Sequence, residues 1–71
     1  MTDLIRTRLL AMVDAELKET EGSISNNQVW ALAARSPEEN YLFEENIEEL
    51  IKLQNFLLKL REQIVEGELN V

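Results

Sequence analysis

Residues 36–66 read SPEENYLFEENIEELIKLQNFLLKLREQIVE, and this stretch decides the fold. Ser36, Pro37 and Glu39 form a helix start: a serine cap, a proline at the first helical position and a glutamate at the third. The residue before a proline is biased away from helical angles, so the chain bends at Ser36. Neither glycine nor proline follows until Gly67. The reading is one helix over 37–66, about 45 Å long at 1.5 Å per residue.

Phe43, Asn46, Leu50, Leu53, Leu57, Leu60 and Ile64 recur at alternating steps of three and four, the heptad spacing, with Asn46 the single polar member. Beside them lies a second row: Ile47, Ile51, Gln54, Leu58, Arg61 and Val65. One neighbouring helix buries a narrow seam, so a face two rows wide requires more than one neighbour. The expectation is a homodimer, with Phe43, Leu50, Leu53, Leu57, Leu60 and Ile64 as the self-association seam of a helical bundle. A monomeric three-helix domain, its second helix folded over the open half of the third, is the alternative. Arg61 sits in the wide face and needs an acid, for which Glu16 is one candidate.

Working outward toward the N-terminus, Thr2 is a plausible cap, with Asp3 in the first turn. Ile5, Leu9, Met12, Val13 and Leu17 line one face, and Asp14 to Lys18 is a favourably oriented pair four residues apart. Gly22 fits the left-handed position just past a helix end. Ser25 with Gln28 reads as a capping box, and Ile24 with Val29 as its hydrophobic staple. The expected architecture is all-α: three helices at about 3–21, 26–35 and 37–66, forming a helical hairpin or bundle completed by dimerisation. All of it is one domain, 1–71, with 67–71 as a frayed tail.

Composition narrows the function. The chain has 71 residues and is 45% hydrophobic, too apolar for an acidic disordered segment. It has no cysteine and no histidine, which removes disulfides, thiolate nucleophiles, the commonest general base and the commonest metal ligand. No cofactor, no metal and no enzymatic activity are expected. The two glycines lie far apart, so no phosphate-cradling loop exists. No apolar run approaches the roughly 18 residues of a membrane span. Met1-Thr2-Asp3-Leu4 lacks the basic patch and apolar stretch of a signal peptide, so a cytoplasmic location is expected.

The net charge of −7 is concentrated. Residues 38–49 hold Glu38, Glu39, Glu44, Glu45, Glu48 and Glu49 without one basic residue, while 1–18 and 50–71 each sum to zero. A chain without a basic surface is unsuited to direct nucleic-acid binding or to an anionic membrane. On a helical wheel Glu44, Glu45, Glu48 and Glu49 fall opposite Leu50 and Leu57. Glu48 to Lys52 is a favourable pair, while Glu44–Glu48 and Glu45–Glu49 are like-charge pairs that cost a few tenths of a kcal/mol each. Phe56 falls between Lys52 and Lys59 on that outer side, where an aromatic is unusual unless it meets something.

The functional expectation is a small acidic adaptor or regulator, of bacterial or phage type. It binds a protein partner, basic in character, through Glu44, Glu45, Glu48, Glu49, Lys52 and Phe56 on its long helix. The alternatives are a phage-type acidic inhibitor or nucleic-acid mimic, and a small helical-hairpin co-chaperone that covers apolar surface on another protein.

Overall fold

The computed structural model describes residues 2–67 as two helices, α1 (Asp3–Leu32) and α2 (Pro37–Glu66), joined by a turn over 33–36. They run antiparallel as a hairpin with principal extents of 51 × 15 × 13 Å. Among the described residues there is no strand. The chain is all-α as expected, with two helices where three were expected. The frayed tail expected over 67–71 lies, Gly67 apart, outside the described residues.

The caps at both helix starts work as the sequence implies. The Thr2 hydroxyl accepts from the Ile5 amide at 3.2 Å, and Ser36 Oγ accepts from the Glu39 amide at 3.2 Å. Glu39 reaches back in turn, its Oε2 accepting from the Arg35 amide at 3.5 Å. Ser36 is extended, with φ −144° and ψ 157°, as the proline after it demands. α2 ends at Gly67 in the left-handed region, φ 73°, with its amide donating to the Ile64 carbonyl at 3.2 Å.

The correction falls on residues 22–26. Gly22, Ser23, Ser25 and Gln28 all lie inside α1, and the break between expected helices 3–21 and 26–35 does not exist. A glycine within a helix costs only about 1 kcal/mol relative to alanine. Against this, a continuous α1 covers α2 along its whole length. Val13, Leu17, Thr20, Ile24, Asn27 and Ala31 step by four and three across the supposed break, and all six are buried or half-buried. The polar groups that favour a cap elsewhere are satisfied within the helix. Thr20 Oγ1 donates to the Glu16 carbonyl at 2.7 Å, and Asn27 Nδ2 to the Ser23 carbonyl at 2.8 Å, both one turn back. Val29, the second half of the supposed staple, is exposed.

The apolar core lies toward the termini. Val13, Leu17, Leu57 and Ile64 are buried, with Leu9, Leu10 and Leu60 packed against them, and Ile64 is 1% exposed. Toward the turn, contacts are aromatic and polar: Trp30 and Phe43 meet at 5.9 Å between ring centroids, and Asn40 Nδ2 donates to the Ala31 carbonyl at 2.9 Å.

The two glycines should respond to substitution with opposite signs. A Cβ at Gly22 meets nothing within 4 Å, so Gly22→Ala is expected to stabilise the protein by about 0.5–1 kcal/mol. Gly67→Ala forces a side chain into the left-handed region, 3.3 Å from Arg6 Nη2, and is expected to destabilise by about 1 kcal/mol. Thermal melts resolve both, since 1 kcal/mol moves Tm by roughly 4–8 °C in a domain this small. A helix end at residue 22 would reverse the first sign.

Candidate functional site

α2 presents two distinct faces. One meets α1, and the sequence-derived seam divides along it. Leu57 and Ile64 are buried in the intrachain core, Phe43, Leu50 and Leu60 are half-buried, and Leu53 is exposed. Asn46, the polar member of that seam, has a partner in the same chain: its Nδ2 donates to Asn27 Oδ1 at 3.4 Å. Asn27 is 7% exposed, and this bond and the one to Ser23 satisfy both ends of its amide. Arg61 Nε donates to Asp14 Oδ1 at 2.7 Å, so Asp14 serves the facing helix and Glu16 is not the partner of Arg61. The pair is about half exposed on both sides, where such bridges are worth at most about 1 kcal/mol.

The other face of α2 carries the candidate partner-binding residues. Glu44, Glu45, Glu48, Glu49, Lys52 and Phe56 are all exposed, on one helix, within four turns. Lys52 Nζ lies 3.3 Å from Glu49 Oε1, one residue closer in sequence than the Glu48 pairing suggested by spacing. The strip is therefore acidic at its start and charge-paired where it approaches Phe56. Phe56, 63% exposed, lines a shallow depression with Asn55, Leu58, Lys59 and Glu62. Tyr41 and Leu42, also exposed, line another with Pro37 and Glu38 at the start of the helix.

Comparison with family models, curated proteins and solved structures gives no match for this chain. The site is accordingly described from its own chemistry. Among the described residues no three acidic side chains converge as a metal site would require. No helix among them is long and apolar enough to cross a membrane. What remains is surface: exposed apolar side chains beside an anionic strip, on a helix packed on its other side against α1.

Reading the sequence alone missed a groove between the two helices near the termini. It is lined by Leu9, Met12, Val13 and Glu16 of α1 and by Leu57, Leu60 and Ile64 of α2, and encloses about 250 Å³. The residues of α1 were legible as an apolar face. Their juxtaposition with Leu60 and Ile64 depends on the hairpin register, which the supposed break at Gly22 concealed.

The asparagine pair is one of the contacts that fit that register, and a double-mutant cycle measures its share. Asn46→Leu leaves Asn27 Oδ1 without its donor and is expected to cost about 1–3 kcal/mol, while Asn27→Leu removes the acceptor instead. Replacing both asparagines by leucine removes both polar groups together and should cost less than the single change. Chemical denaturation of the three variants measures the cycle. Additive losses would show that the two side chains do not interact.

Proposed function

We propose that this chain is a protein–protein interaction module that works by binding through α2, without catalysis. One observation supports the reading above all. Two 30-residue helices bury only Val13, Leu17, Leu57 and Ile64 as apolar core, while Leu42, Leu53, Phe56 and Leu58 of α2 stand exposed. Phe56 and Leu58 line one shallow depression beside the strip, and apolar surface gathered at a charged strip marks a binding face. The acidic strip beside it would steer a basic partner and set its orientation, with Phe56 as the anchor that desolvates.

The partner is a protein with a basic surface next to an apolar pocket. A second reading has its own support: the apolar groove near the termini suits a co-chaperone role, in which an apolar segment of another protein is sheltered. The two differ in physics. Binding through the strip weakens with salt, because exposed charges are screened over about 8–10 Å at physiological ionic strength. Binding through the groove persists in salt.

Affinity capture from the native host tests the choice, using the parent chain and a variant with Glu44, Glu45, Glu48 and Glu49 all changed to Gln. The expected result is one protein held by the parent at low salt, released at high salt, and at least tenfold depleted with the variant. Phe56→Ala should deplete it as well, while circular dichroism of both variants stays that of the parent. Equal recovery by parent and variants at every salt concentration would exclude the strip as the docking surface.

A further inference from the structure

The hairpin exposes more surface than a chain of its mass needs to. Its accessible area is 5524 Å², against about 4,500 Å² for a compact 8.2 kDa monomer. Its radius of gyration is 15.8 Å, against about 11 Å for 71 residues in a compact fold. The excess is about 1,000 Å² per chain. A specific interface removes about 800 Å² from each partner, so the surplus is the size of one standard interface.

Charge locates that interface. Folding back at 33–36 brings residues 1–18 alongside 50–67, so the half of the hairpin nearest the termini is built from two segments that each sum to zero in the full sequence. The half nearest the turn, residues 19–49, carries the entire −7. The apolar groove lies in the neutral half, and Met12 on its rim is 65% exposed. Exposed Ile5 and Leu53 extend the apolar surface of the same half.

We propose that a second copy of this chain covers this groove, with the two hairpins antiparallel about a two-fold axis near Met12. Each neutral half lies on the other, and the acidic turns point to opposite ends of the pair. In that arrangement the two charges of −7 are far beyond a Debye length apart, whereas a parallel pair would place them side by side. An isologous contact also needs a patch complementary to itself: the exposed Met12 of each copy meets the apolar groove of the other, and Glu16, the one charged residue lining the groove, lies on the turn side of Met12, so the two-fold axis sets the two Glu16 side chains on opposite sides of it. The inference shares with the binding-module reading the premise of uncovered apolar surface and the flanking Leu53, and it competes with the co-chaperone reading for the groove itself. It uses a face that does not include Glu44, Glu45, Glu48, Glu49, Lys52 or Phe56, so either can fail alone.

Because the chain has no cysteine, single cysteines report the geometry directly. Sedimentation of the parent at high micromolar concentration should give twice 8.2 kDa, and Met12→Glu should return it to 8.2 kDa with unchanged helicity. Under mild oxidation, Met12→Cys should form a disulfide-linked dimer. Leu32→Cys, 91% exposed beside the acidic turn, should remain unlinked. A parent that sediments only as monomer overturns the proposal and leaves the binding-module reading standing. A dimer that survives Met12→Glu, or that cross-links through Leu32→Cys, overturns the proposed face and orientation. Should Met12→Glu unfold, the two cysteine variants decide the matter alone.

Discussion

The need to cover one side of a 30-residue helix governs this structure. Ser36 and Pro37 start α2 at a fixed point, and nothing in its sequence interrupts it before Gly67. Its heptad row runs from Phe43 to Ile64, and uncovered apolar surface costs about 25 cal/mol for each Å². A helix ending at residue 21 leaves Phe43, Asn46 and Leu50 of that row bare. The continuous α1 reaches it, bringing Trp30 to Phe43, Asn27 to Asn46 and Asp14 to Arg61. These three contacts, spread from turn to termini, hold one antiparallel register.

The hairpin has two chemically different halves. Near the termini an apolar cluster closes on Ile64. Toward the turn, the facing positions are Thr20, Asn27, Asn40 and Asn46, held by hydrogen bonds to backbone and to each other. Thr20 and the Asn27 Nδ2 group bond within α1 and are indifferent to register, whereas the bonds from Asn46 to Asn27 and from Asn40 to Ala31 cross between the helices and would be lost in a slipped register. Net charge follows the same division, since every uncompensated acid lies in the turn half. Fewer buried apolar contacts make that half the place where local opening costs least.

Arg6 illustrates how the second helix end is completed. No basic residue occurs in the last turn of α2, where a cation would favour the helix dipole. Arg6 of α1 supplies it from across the hairpin, half-buried, with its guanidinium beside Gly67. Its Nε is buried with no hydrogen-bond partner among the described residues. The benefit of the charge is set against that desolvation.

The sequence by itself determined whatever rests on local chemistry. Helical class followed from composition and spacing, the bend from Ser36 and Pro37, and both helix starts from Thr2 and Ser36. The outward position of Glu44, Glu45, Glu48, Glu49, Lys52 and Phe56 followed from periodicity along one unbroken helix. Tertiary structure decided what depends on competition between local and distant terms. Gly22, Ser25 and Gln28 carry real stop and start signals, each worth about 1 kcal/mol. Those signals lose to the burial gained when α1 continues over α2, a gain shared by Ile24, Asn27 and Ala31 and readable only once the partner helix is in place. The pairing of Asn27 with Asn46, the choice of Asp14 over Glu16 for Arg61, and the groove beside Met12 all depend on that register. Periodicity along a helix shows which residues share a face; it does not show which residue of the facing helix each one meets.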